Sequence, residues 1–205
     1  MFLIHNIFVI IVVGYKREVY FVKKIIRSMS IIIITFVLLF TFSVEAGAED
    51  VLITSIGQNP GGLMVKVVMD KMNKDFIYKP LIESTELKDY NTAILSLGCS
   101  QKGLCAADCS FKEELKRTKE IVNIMKKKNY PVILVHLGGK LKRDEKSNKL
   151  INVVAPISSH FVVTEESNND KYFTEMSKAK DKKLHIIKNL SKLESVFRDI
   201  FANKN

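Results

Sequence analysis

The sequence predicts an α/β domain: a three-layer, doubly wound, mainly parallel sheet of five or six strands, flavodoxin-like or Rossmann-like in strand order. Three observations carry this. Beyond residue 50, apolar runs of strand length alternate with stretches of helical spacing. The strand runs are nearly continuous in apolar residues, the pattern of strands covered on both faces. Parallel neighbours also require right-handed crossovers, which leaves a doubly wound sheet as the natural solution. The favoured central order is flavodoxin-like, with the first strand between the second and third and a short sixth strand at the edge.

The expected strands are Val51–Ile56, Phe76–Tyr78, Thr92–Leu97, Val132–Leu137, Phe161–Thr164 and Leu184–Ile187. Asn59 is placed to cap the first helix with Pro60 at its first position, both favoured there. Met64, Val67, Val68 and Met72 follow at helical intervals. Ser110 and Glu113 fit an S-x-x-E capping box, ahead of Leu115, Val122 and Met125 on one face. A further helix covers about Asp144–Val154 and stops before Pro156. The last, Ser191–Phe201, carries an apolar stripe of Leu193, Val196, Phe197 and Ile200.

Residues 1–48 differ from the rest. IIIITFVLLFTFS (31–43) follows Lys23, Lys24 and Arg27 and precedes the small-residue exit VEAGA, the pattern of a secretory signal peptide. Cleavage is expected after Ala48 or Ala46, leaving 49–205 as a single α/β domain outside the cytoplasm, secreted or periplasmic. The apolar stretch is shorter than the roughly 20 residues of a bilayer span. Membrane contact is therefore expected only through the uncleaved signal segment. Residues 1–21 have no evident role ahead of a signal peptide and read as an upstream extension, with translation starting at Val22 or Met29.

Of 32 Lys and Arg and 22 Asp and Glu, the leader holds 5 and 2, so the domain carries 27 against 20, or +7. The excess is Lys scattered over helix faces, a solvated surface rather than a nucleic-acid footprint. Its 157 residues are enough for a proper core.

Ligands in such sheets sit beyond the carboxyl ends of the strands, near the point where strand order reverses. The loops there are GQNPGG (57–62), GCSQKGLCAADCS (98–110), GGKLKR (138–143) and EESNND (165–170). The first three begin with Gly and are rich in small and polar residues. A Gly-rich turn feeding a helix N-terminus favours anions; equally, Gly57, Gly61 and Gly62 serve a tight crossover. Gly57 to Gly62 has P-loop spacing, but Leu63 and Met64 stand where Lys and Ser or Thr are required. There is no G-x-G-x-x-G, and no loop aromatic to stack a flavin, so no cofactor is expected. Lys102, Lys140, Lys142 and Arg143 surround the expected cleft.

Cys99, Cys105 and Cys109 share one loop as C-x5-C-x3-C. Export suggests a disulfide between Cys99 and Cys105 or Cys109. Metal binding with His136 as fourth ligand is an alternative that lacks the tight C-x-x-C spacing. Gly103 to Ala107 is partly similar to the G-x-C-x-G elbow of class I glutamine amidotransferase-like hydrolases. An elbow nucleophile directly follows its strand, however, and Cys105 lies eight residues beyond Leu97. His136 ends a central strand on the site side, suited to ligand contact or proton transfer. His160 and His185 lie at strand starts on the far side and read as structural.

VLITSIGQNP with MVKVVMD, AILSLGCSQKGL, and VILVHLGGKLKR with NVVAPISSHFVV resemble an uncharacterised family of exported bacterial α/β proteins. The likeness covers nearly all of 51–190, with S-x-G-Q-x-P and H-[IL]-G-G its most recognisable parts. It implies a fold and a location rather than a reaction. It highlights Ser55, Gly57, Gln58, Pro60, Gly98, Lys102, Gly103, His136, Gly138 and Gly139. Members tend to carry Gly, Ser or Ala where this chain has cysteines, which implies no family mechanism built on thiols.

The expected function is a non-catalytic domain for an unidentified, anion-favouring small ligand. Its site residues are Ser55, Gly57, Gln58, Asn59, Gly98, Ser100, Lys102, Gly103, His136, Gly138 and Gly139. The alternatives are a hydrolase or transferase using Cys99, Ser100 or Cys105 with His136, and a cell-envelope interaction module.

Overall fold

The computed structural model describes residues 49–139 and 143–202, with Arg27 and Met29 besides. By its contacts the chain divides into Met1–Gly47 and Ala48–Asn205. In the first unit Arg27 and Met29 are helical and exposed. The apolar run 31–43 of the expected signal segment, the expected cleavage points at Ala46 and Ala48, the expected extension 1–21 and the expected Val22 start lie outside the described residues, as do Lys140 and Lys142. Among the described residues no helix is long and apolar enough to cross a membrane.

The second unit alternates strand and helix throughout. Its strands are β1 (Glu49–Ile56), β2 (Ile77–Tyr78), β3 (Tyr90–Leu97), β4 (Val132–His136), β5 (Ser158–Thr164) and β6 (Lys183–Ile187). Its helices are α1 (Gly61–Lys71), α2 (Gln101–Ala106), α3 (Phe111–Lys127), α4 (Glu145–Val154), α5 (Tyr172–Ala179) and α6 (Leu193–Ala202). The sheet order is β2-β1-β3-β4-β5-β6, and every pairing is parallel. This is the flavodoxin-like order with β6 added at the edge, and the Rossmann alternative falls away. Strand order reverses at β1, so the crevice between β1 and β3 lies where such folds place ligands.

Two cores sandwich the sheet. Leu52, Ile56, Leu95, Leu134, Phe161 and Val163 pack with Ile121 and Met125 of α3, Ile151 of α4 and Phe173 of α5. The alternate residues Val51, Ile53, Ile94, Val135 and Val162 face Val65 and Met69 of α1 and Phe197 of α6. The period of two along each strand thus sends successive apolar residues into opposite layers. Phe161, Phe173 and Phe197 are fully buried, and each such side chain contributes about 1.5–3 kcal/mol relative to exposure.

Helix starts follow their caps. Ser110 and Glu113 form the reciprocal capping box of α3, and the Asp144 carboxylate accepts the Ser147 N–H at the head of α4. At α1 the regular run begins at Gly61, one residue later than expected. Pro60 is already helical in its dihedrals, and Asn59 Oδ1 accepts the Gly61 N–H at 2.8 Å. The segment GCSQKGLCAADCS is only partly a loop: α2 forms inside it, with Ser100 Oγ accepting the Gly103 N–H.

Candidate functional site

The site begins with packing at the head of α1. Ser55 and Ser96 are register partners on β1 and β3, and both are buried. A Cβ on Gly61 would lie 2.4 Å from Ser96 Oγ, and one on Gly62 equally close to Ser55 Oγ. The Gly-Gly pair therefore lets the helix start press directly onto the two strand ends. Asn59 ties the same corner together. Its Nδ2 donates to the Ile56 and Ser96 carbonyls, and its Oδ1 accepts from the Ser96 hydroxyl as well as from Gly61.

Beneath the turn lies a buried ion pair that the sequence reading missed. Glu114 is fully buried on α3 and accepts from Arg117 at 2.7 and 2.9 Å. It also accepts the Gly57 N–H at 2.6 Å and the Gln58 side-chain amide at 3.1 Å. Arg117 in turn donates to the Ser55 and Ile82 carbonyls. Gly57 has φ +86° and Gln58 φ +55°, so this network holds a backbone shape that L side chains rarely adopt. A clue was present: Glu114 and Arg117 are three apart, the spacing that pairs on a helix, yet the residues gave no sign of burial.

Above this corner opens a cleft of about 360 Å³, within the ordinary range for small-molecule sites. Asn59, Gly98, Ser100, His136 and Gly138 line it as the sequence reading placed them, together with Cys99. Pro60, Gly61, Met64, Leu97, Leu137 and Asp144 complete the wall. Other expected site residues stand behind it or apart from it. Ser55 is covered by the head of α1, its hydroxyl donating to the Asn59 carbonyl. Gly57 and Gln58 form the turn. Gly103 packs against it, for a Cβ there would stand 2.0 Å from the Gln58 oxygen. Gly139 lies against the Glu166 side chain. Lys102 is exposed on α2.

His136 is the chemically distinctive group of the wall. It is 1 % exposed, and its Nδ1 meets the Leu97 carbonyl at 2.8 Å. A carbonyl can only accept, so Nδ1 carries the proton and Nε2 presents a lone pair. Nε2 is buried without a hydrogen-bond partner among the described residues. Burial pushes the imidazole pKa down, against the bond to Leu97 that favours the charged form, and Arg143 depresses it further. The ring is therefore a neutral acceptor near pH 7.

Arg143 was expected among the basic residues around the cleft. Instead its guanidinium is buried, paired with Asp170 and stacked 4.2 Å over the Tyr172 ring. The described lining holds Asp144 and neither Lys nor Arg. All three cysteines are free thiols, so the expected disulfide is not formed. Burial pushes the Cys99 and Cys109 thiols up, with neighbouring carboxylates adding to it. Cys105 is exposed on α2, beside the Gln101 amide. The metal alternative of Cys99, Cys105, Cys109 and His136 is not assembled. Among the described residues no three His, Cys, Asp or Glu are placed to hold an ion.

Residues 48–201 match a family model described as a domain of unknown function, DUF6305. The chain belongs to this family. No curated protein matches it. Two solved structures are similar to the DUF6305 chain: an aspartate-to-alanine and a serine-to-alanine mutant of the esterase AlinE4. Each is 11 % identical, with 78 % of this chain and 98 % of that chain covered, at a TM-score of 0.30. A likeness that low carries no argument about the activity of DUF6305.

Proposed function

We propose that this DUF6305 protein is an exported small-ligand-binding domain whose site is the cleft at the carboxyl ends of β1, β3 and β4. The observation that carries the reading is His136: a neutral imidazole bordering the cleft, oriented by Leu97, with its second nitrogen buried and without a partner among the described residues. An unmet buried acceptor costs about 1–3 kcal/mol, which a ligand hydrogen-bond donor would recover. The ligand's polar group is then a donor toward Nε2. Its apolar body lies along Pro60, Met64 and Leu97. Among the described residues of the wall, the anion preference rests on the positive end of α1, at about half a charge. Asp144 in the same wall opposes it, and Arg143 is already neutralised by Asp170. A ligand without net charge fits this balance better.

Export rests on the leader pattern, and cleavage after Ala48 would leave β1, which starts at Glu49, whole. Mass spectrometry of protein from the producing cell's exterior should find an N-terminus at Glu49 or Gly47. Retention of the leader on the mature protein would overturn export.

For binding, the test is native mass spectrometry of protein from its own host, followed by NMR titration of the released compound on uniformly 15N-labelled protein. The expected outcome is a shift at His136 Nε2 and at the Gly98 amide. A compound whose shifts map elsewhere would overturn the site. The hydrolase or transferase reading uses the proximity of Cys99 and Ser100 to His136 in the same wall. It would prevail if thiol alkylation abolished a measurable turnover. Against it stand the raised Cys99 pKa and the use of Ser100 as a helix cap.

A further inference from the structure

We propose that His160 and His185 form a two-nitrogen site for a divalent transition-metal ion at the amino-terminal edge of the sheet, with Asp199 on the wall of the same cavity. This lies at the far end of the strands from the cleft and is independent of the ligand-binding reading.

The two rings come from adjacent strands, each the third residue of its strand. Val162 is the register partner of His185, and His160 that of Lys183, so the imidazoles meet on a diagonal across one face. His160 Nδ1 lies 3.0 Å from His185 Nε2, with centroids 5.2 Å apart and planes within 23°. An ion bonded to two nitrogens at about 2.0 Å holds them about 2.8–3.3 Å apart, from square to tetrahedral angles. The spacing already present falls inside that interval, so the nitrogens need not separate; the rings turn until both in-plane lone pairs meet at one point. A cavity of about 230 Å³ bordered by both rings, Ser159, Lys183 and Asp199 leaves room for waters to complete the coordination.

The protons balance. At neutral pH each ring carries one N–H, and one of the two bridges the contact. On binding, that ring changes tautomer: its proton moves through solvent to the outer nitrogen, and both bridging nitrogens become lone-pair donors. No net proton is released. Imidazole nitrogens favour copper, nickel and zinc over magnesium or calcium. Lys183 opposes the ion's charge and Asp199 favours it. Among the described residues no third ligand now closes the set, so the ion is exchangeable. Once bound, it ties the edge strand β6 to β5.

The test uses the full chain with Cys99, Cys105 and Cys109 changed to Ser, so that thiols cannot capture or reduce the metal. Copper(II) should give an electron paramagnetic resonance spectrum with hyperfine splitting from two imidazole nitrogens. His160→Gln and His185→Gln should each lose that pattern, and zinc should raise the melting temperature only when both histidines are present. Unchanged copper spectra in either variant would overturn the proposal, as would no binding to the parent. If a variant does not fold, zinc titration of the 15N-histidine-labelled parent decides. Shifts at His160 Nδ1 and His185 Nε2 support the site, and unmoved resonances refute it.

Discussion

Glu114 and Arg117 lie 2.7 Å apart on one turn of α3, buried, and between them they hold the end of β1 and the turn that follows it. Four hydrogen bonds converge on the Glu114 carboxylate, two from Arg117 and two from residues 57 and 58. This fixes the cleft floor from behind while contributing nothing to its wall.

Breaking that pair should therefore damage stability first and the cleft second. Glu114→Gln leaves the Arg117 charge buried without its counter-ion, a change that costs about 3–5 kcal/mol. Replacing both residues by apolar side chains of similar volume should cost less, since the uncompensated charge goes with them. Urea denaturation of the two variants checks the order. A Glu114→Gln protein as stable as the double variant would contradict that order, and one as stable as the unaltered chain would show that the network is dispensable.

Gly103 is a steric rather than a chemical requirement. A methyl group there would stand 2.0 Å from the Gln58 carbonyl oxygen, and the neighbour is backbone in a turn already at positive φ. Gly103→Ala should destabilise by about 2–3 kcal/mol, at the upper end of overpacking effects, and move the amide resonances of residues 57 and 58. A neutral substitution would mean that α2 can shift away from the turn freely.

These two positions show what the sequence could and could not tell. The six strands were legible because each is a nearly unbroken apolar run; observed ends fall within three residues of those expected, as for β5, which starts at Ser158 rather than Phe161. The rim of the sheet was legible too, because parallel strands bring Asn59, Cys99 and His136 to one edge. Two helices were not read as such. At six residues α2 is too short to display a 3.6-residue period, and α5 starts after Lys171 at φ +60°, its first N–H groups capped from upstream by Asn168 and Asp170 rather than by the residue at its head. Glu114 and Arg117 were lost among the charges of FKEELKRTKEIVNIMKK, since charge alone does not say which face of a helix is buried. Arg143 was not read as buried for another reason: it precedes α4, and its partner, Asp170, is 27 residues away.

His136 makes a prediction about protonation. Its pKa is depressed mainly by burial, so the ring should be neutral at pH 7 with the proton on Nδ1. Nitrogen-15 NMR should show a single tautomer and a titration beginning below the ordinary histidine value of 6.5. Because the folded value is lowered, the unfolded chain binds more protons as the pH falls, and stability is lost from that side. Ligand binding through the Nε2 lone pair should be flat above neutrality and disappear once the ring is protonated. A ring protonated at pH 7, or proton on Nε2, would remove the acceptor on which the proposed function depends.

His160 and His185 give the corresponding prediction for the opposite edge. Burial is the first cause lowering both; for His160 the His185 ring and Lys183 add to it, and for His185 Lys183 adds while Asp199 opposes. The shared hydrogen bond needs one ring to be neutral, and two charged rings at 3.0 Å would repel. Both folded values lie below the unfolded one, so the contribution is fully present above pH 6.5 and is lost as the pH falls through the folded values. Without added metal, the melting temperature should drop more steeply on acidification in the parent than in a His160→Gln, His185→Gln double variant. Hydrogen exchange should place the loss first in β6, the edge strand, which has a neighbour on one side only. Equal slopes for parent and variant would show that the imidazole contact does not help to hold that strand.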